Sequence, residues 1–431
     1  MRKFLSLVLV ATLLMSVFAF TASADGETTI TIAVSGSASE IALRKETGDL
    51  FCELNPQYSV EWIDLGDDRV TKTMTLISSG AAPDILYINE NIVTYASRGV
   101  LEPLGEYVAR EGEGYLDYFY PSLLALDTWQ DELYALPQEV SPYLIYYNKD
   151  LFEKYGVELP TDDWTFEQWY EACKSISSAG AADGVYGQNV MGWADQALMV
   201  LSRMGVEVYN EDATQIWTAQ PENYDKALEA FTFFANAYLE DKICPTPSEI
   251  TAMGKAFDQA FRNQLLAMDA AGLWNLPTYL DEPLNFNWDV VMSPLSTDGT
   301  RTNRAGILNW GIYSGSNNKD AAWELLKFLT GHEGQMIVAK YNMALPSAYD
   351  EEANQLIVDS HFPENVEAFI KANEFIEQGD SFSVAEDEIN TALMAELNSM
   401  VLGLESPEEA LNNFNDFAVE TLEEALDSIY G

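Results

Sequence analysis

The stretch TITIAVSG, Thr29 to Gly36, alternates polar and apolar side chains and then stops on Ser35-Gly36. A period of two is the mark of a half-buried β-strand, and the glycine that follows marks a turn. Working outward, Glu40–Leu54 reads as a helix halted near Asn55-Pro56, because a proline disfavours helical backbone in the residue before it. Ser59–Leu65 reads as a second strand. Beyond Ser79-Gly80, the run PDILYI (Pro83–Ile88) is short, apolar and strand-like. Strand, helix and strand in succession predict an α/β fold, a parallel sheet covered by helices.

The rest of the chain is more helical. Thr165-Phe166-Glu167-Gln168 carries a capping-box pattern and opens a helix through Trp169 and Cys173. Asn318–Leu329 places Ala322, Leu325, Leu326 and Leu329 on one stripe. Ile389, Leu393, Leu397 and Val401 recur every four residues until Gly403. Ser406-Pro407-Glu408-Glu409 then starts a last helix with cap, proline and acidic first turn together, and Leu411, Phe414, Ala418 and Leu422 form its apolar face.

The chain has 431 residues, two to three times a common domain of about 150, so more than one lobe is expected. Residues 1–24 read as a secretory signal: Arg2-Lys3, an apolar run from Phe4 to Phe20, and Ala22-Ser23-Ala24 as the cleavage site. No cysteine follows the run to take a lipid, so a soluble, exported protein, periplasmic or extracellular at the cell surface, is expected. The net charge of −47 repels nucleic acid and anionic membrane surfaces. Cys52, Cys173 and Cys244 are widely spaced, which leaves one disulfide plus a free thiol, or three buried thiols, equally open.

Most chemistry is absent. His332-Glu333 opens like a zinc-protease helix, but Met336 stands where the second histidine belongs. With His332 and His361 the only histidines and no G-x-S-x-G elbow or phosphate loop, metal, acyl-transfer and nucleotide chemistry are disfavoured, and no cofactor is expected. One enzyme reading survives: Asn89-Glu90 at a strand end suits the acid/base of a retaining glycosidase, which needs a second carboxylate about 5 Å away.

Four blocks in order resemble the extracellular solute-binding proteins of sugar-type ABC importers, the group that includes maltose-binding protein. They are SGAAPDILYINENIVTYASRGVLEPL (Ser79–Leu104); YALPQEVSPYLIYYNKDLFEKYGVELP with DDWTFEQW (Tyr134–Trp169); FRNQLLAMDAAGLW (Phe261–Trp274); and ILNWGIYSGSNNKDAAWELLKFLTGHEGQ with MALPS (Ile307–Ser347). The resemblance implies a two-lobed, type II-like periplasmic-binding-protein fold with a hinge, an interlobe ligand cleft and a helical C-terminal tail. By correspondence one lobe takes 25–139 plus 308–346 and the other 140–307 plus 347–431. It also implies a monomer that binds a saccharide and delivers it to membrane permease subunits driven by a separate ATPase, without catalysis.

A sugar offers C–H faces to aromatic platforms and hydroxyls to planar polar groups. Trp274, after Gly272-Leu273, is the leading platform. Trp310, beside Asn309, and Trp193, after Met191-Gly192, read equally as platform or core, and Asn309 and Met191 are candidates beside them. Asn89 and Glu90 leave a strand end, where ligands of open α/β sheets gather. Glu139, Ser141 and Tyr143 flank the first crossing, Asp67 or Asp68 follows Gly66, and Ser37 follows Gly36. Asn148-Lys149-Asp150 reads as a helix-capping turn. Arg304 is the main cation in these segments, so a neutral saccharide is expected, with a polyamine or peptide as the alternative solute.

Overall fold

The computed structural model describes residues 27–66, 69–89, 92–253, 259–376 and 383–430, with Asn89 described for its backbone only. The expected signal segment, Asp67, Asp68 and Glu90 lie outside the described residues.

Strand β1 (Thr28–Val34) runs parallel to β2 (Tyr58–Asp64) and to β3 (Ile85–Asn89). Helix α1 (Ala38–Leu54) connects β1 to β2, and α2 (Arg69–Ser78) leads into β3. The helix begins two residues ahead of expectation because Ser37 is its cap: the hydroxyl accepts from Glu40 N at 3.3 Å and Glu40 Oε2 accepts from Ser37 N at 2.7 Å.

Later strands join the sheet antiparallel. β4 (Ala135–Pro142) and β9 (Ala305–Ile312) pair with each other, and β9 also pairs with β3. β10 (Leu345–Pro346) closes the edge, giving the order β10-β4-β9-β3-β1-β2. A second sheet holds β5 (Leu144–Asn148), β6 (Tyr186–Gln188), β7 (Leu266–Ala271) and β8 (Trp288–Val291) in the order β8-β5-β7-β6. The chain therefore leaves the first sheet at Pro142, crosses at Tyr143, and returns through 292–304.

Helices cover both sheets as the sequence stripes require. α3 (Phe166–Gly180) has its Thr165 capping box, and α4 (Ala194–Arg203) follows. α5 (Lys319–Thr330) buries Ala322, Leu325, Leu326 and Leu329 against the first sheet. α6 (Glu386–Val401) and α7 (Pro407–Tyr430), parted by Gly403 at φ 72°, set Ile389, Leu393, Leu397, Leu411, Phe414 and Leu422 into the second-lobe core. Each fully buried side chain of this size stabilises by about 1.5–3 kcal/mol. All three cysteines are free thiols, Cys173 and Cys244 buried and Cys52 half-buried.

Candidate functional site

Between the two sheets lies a cleft of about 750 Å³, lined from both lobes. Its first-lobe wall depends on an irregularity in β4. Leu136 pairs with Trp310 and Glu139 pairs with Leu308, with a register shift between Leu308 and Asn309. Trp310 and Leu308 share a face by the period of two, so Leu136 and Glu139 share it as well, although three residues apart. Strict alternation forbids this. Gln138 is the extra residue, and the resulting bulge turns Glu139 and Ser141 toward the cleft.

Glu139 is buried there, and its Oε2 meets Arg44 Nη2 at 3.2 Å. Burial raises the Glu139 carboxyl above the usual range, and the Arg44 charge pulls it back. Its Oε1 has no donor among the described residues. Arg44 also donates from Nη1 to Ser35 O at 2.6 Å and lies 5.3 Å from the centre of the Tyr87 ring, with Arg69 on the same ring at 5.7 Å.

The second-lobe wall is aromatic. Tyr143, at the crossing, has Trp274 edge-on at 5.5 Å and Trp193 edge-on at 6.2 Å. The Tyr143 hydroxyl donates to Asp195 Oδ2 at 2.9 Å, and Arg304 Nε donates to Asp195 Oδ1 at 2.9 Å. Trp274 is 37% exposed, and glycines make its room. A Cβ on Gly272 would stand 2.2 Å from Trp274 Cζ3 and 2.3 Å from Ser141 Oγ, and one on Gly306 would stand 3.2 Å from Trp274 Cζ3. Ser141 Oγ accepts from Leu273 N at 2.7 Å, which ties the start of the Trp274 turn to β4 across the cleft floor.

Six candidates thus converge: Ser37, Glu139, Ser141, Tyr143, Trp193 and Trp274. The Ser37 hydroxyl is engaged in the cap of α1. Trp310, Asn309 and Met191 do not line the cleft. Trp310 is fully buried, edge-on to Tyr87 at 5.6 Å, with Nε1 donating to Gln138 Oε1 at 2.7 Å. Its place on the β9 face beneath Leu308 puts it in the core rather than on the surface. Asn309, on the opposite face, is also fully buried, and Met191 packs in the second-lobe core. Asn89 ends β3 as expected.

Reading the sequence missed Arg44, Arg69, Tyr87, Asp195, Asp269 and Asp281, all of which line the cleft. A cation in line with Gly48 and Phe51 on the buried side of α1 was the available signal for Arg44. The arginines do not make the cleft basic, since Arg44 meets Glu139 and Arg69 shares the lining with Glu40, Asp195, Asp269 and Asp281. Among the described residues no group of three metal-ligating side chains converges, and no helix is long and apolar enough to cross a membrane.

The chain matches the family of bacterial extracellular solute-binding proteins over residues 35–336. It is 24% identical over 355 residues to the galactooligosaccharide-binding protein of Bacillus subtilis, covering 80% of this chain and 77% of that one. The ABC substrate-binding protein of Listeria monocytogenes in complex with cycloalternan superposes with a TM-score of 0.81 at 25% identity, covering 92% of this chain and 99% of that one. UgpB of Mycobacterium tuberculosis in complex with glycerophosphocholine shares the fold, with a TM-score of 0.78 at 17% identity over 93% of this chain and all of the other.

Proposed function

The chain belongs to the bacterial extracellular solute-binding proteins, and from that premise we propose that it captures a neutral saccharide between its lobes for an ABC importer. The observation that carries this reading is an open indole, Trp274, in a cleft lined from both lobes by polar side chains, among them Ser37, Glu40 and Asp195. An indole face complements sugar C–H groups, and a carboxylate oxygen complements a sugar hydroxyl. Charge disfavours an anionic solute, because beside the ion pairs Arg44–Glu139 and Arg304–Asp195 the lining sets Arg69 against Glu40, Asp269 and Asp281. The volume of about 750 Å³ has room for more than one ring. Ligand touching both walls stabilises the closed arrangement by its differential contacts, and the closed, exported monomer then meets its permease subunits. No step in this cycle requires bond breaking.

A thermal-shift screen against neutral mono- and oligosaccharides, a polyamine and a peptide tests the reading. The expected result is a rise in Tm with a saccharide that is recovered intact. A rise with the polyamine or peptide alone would change the solute class, and consumption of the sugar would replace the receptor by a glycosidase.

A further inference from the structure

The chain crosses to the second sheet at Tyr143 and comes back at Arg304, and these two residues lie side by side. Tyr143 N donates to Arg304 O at 3.0 Å, and Tyr143 O accepts from Ser293 Oγ of the returning segment at 3.0 Å. The two side chains then reach one carboxylate. The Tyr143 hydroxyl donates to Asp195 Oδ2 and Arg304 Nε donates to Asp195 Oδ1, each at 2.9 Å.

Asp195 stands in the first turn of α4, where the helix dipole favours a negative charge. The next residue fixes that turn to the second lobe. Gln196 Nε2 donates to Ala270 O of β7 at 3.0 Å, and Gln196 Oε1 accepts from Gly192 N at 2.8 Å. Trp193 and Asp195 both line the cleft, and the Asp195 side chain is 17% exposed there. A carboxylate oxygen can accept more than one hydrogen bond. A solute hydroxyl therefore has access to the same group that holds both crossings.

On the first-lobe side the matching anchor is Glu139, held to Arg44 of α1 at 3.2 Å and paired with Leu308. Between the anchors, Ser141 Oγ accepts from Leu273 N at 2.7 Å, which ties down the first crossing alone. Asp195 takes both. A hinge is a few residues that absorb the change in φ and ψ between bodies that stay rigid. We infer that Asp195 is a positioning residue for capture: its carboxylate makes Tyr143 and Arg304 part of the second lobe. The bend then falls between Glu139 and Tyr143 on one strand and between Arg304 and Leu308 on the other. The inference rests on the proposed receptor whose lobes close on a solute. Without the carboxylate, both crossings lose their tie to α4, the bending stretch lengthens, and the ligand-free lobes sample a wider range of separations.

The test uses the protein without solute, so its failure is distinct from a failure of the saccharide screen. Double electron–electron resonance reads the lobe separation between spin labels at Lys45→Cys on α1 and Ser178→Cys on α3, both exposed positions, in a Cys52→Ser background. Asp195→Ala is expected to widen the distance distribution about twofold, and Tyr143→Phe, which removes one arm, to widen it less. Leu411→Ala, in the second-lobe core, lowers stability without touching the clamp and should leave the width unchanged. An unchanged width in Asp195→Ala overturns the inference, and so does equal widening in Leu411→Ala. If Asp195→Ala fails to fold, Tyr143→Phe decides: a wider distribution supports the clamp, and the parent width overturns it.

Discussion

The two walls of the cleft are built on different principles. On the first-lobe wall, Arg44, Glu139 and Tyr87 are buried and engage one another, so the fold itself depends on them. On the second-lobe wall, Trp274 leans edge-on against Tyr143 and keeps 37% of its surface open. Damage to the first wall therefore registers in stability, and damage to the second registers in binding.

The strongest way to break this comparison is Arg44→Met. It strands the Glu139 carboxylate in the core, and removing one partner of a buried pair costs about 3–5 kcal/mol. Urea denaturation measures the loss; a cost below about 1 kcal/mol would show that the pair does not hold the wall. Next, Trp274→Ala leaves the Tm of the ligand-free protein unchanged but weakens saccharide binding by about 2 kcal/mol, roughly 30-fold, by calorimetry. A lowered Tm with full affinity would reverse the assignment of the walls.

Gly272→Ala sharpens the second wall further. The added methyl lies 2.2 Å from the Trp274 ring and must displace it, with about a tenfold loss of affinity expected while Trp274 is intact. In a Trp274→Ala background only the clash with Ser141 Oγ, at 2.3 Å, remains, so the same change should cost less, and fully additive losses would argue against a shared cause.

The mildest test compares Glu139 with Asp127, a buried carboxyl whose two oxygens have no partner among the described residues. Burial holds the Asp127 pKa well above its usual value. The folded state therefore binds the proton more tightly than the unfolded state, and this group's contribution to stability falls as pH rises above the unfolded value of about 3.9. Asp127→Asn removes that fall, so its Tm should exceed that of the parent at pH 8 and approach it at pH 4. A gain that stays constant with pH would mean that the carboxyl is not the cause.

Much of the scaffold was legible in the residues. The alternation of TITIAV, the capping box at Thr165 and the fourfold stripe from Ile389 to Val401 each express local rules that act within a few residues. The helix-capping role expected of Asn148 also holds, its side chain accepting from Leu151 N at 3.0 Å. The site was legible only in part. Trp274 stands two residues after Gly272 and Trp310 directly before Gly311, yet one opens on the cleft and the other is sealed beneath it. Arg44 lies 95 residues from the carboxylate it meets, and nothing local announces such a pair.

The sequence by itself determined the α/β class, the first three strands, the capped and striped helices and the supply of aromatic and acidic groups near the crossings, because periodicity, caps and turn residues are short-range. Only the tertiary structure decided which of these groups face one another. The bulge at Gln138 resets the alternation of β4 and brings Glu139 onto the face of Leu136, while β9 buries Trp310 there against Tyr87. A one-residue change of register exchanges the two faces of a strand, so site membership rests on pairings between segments far apart in the chain.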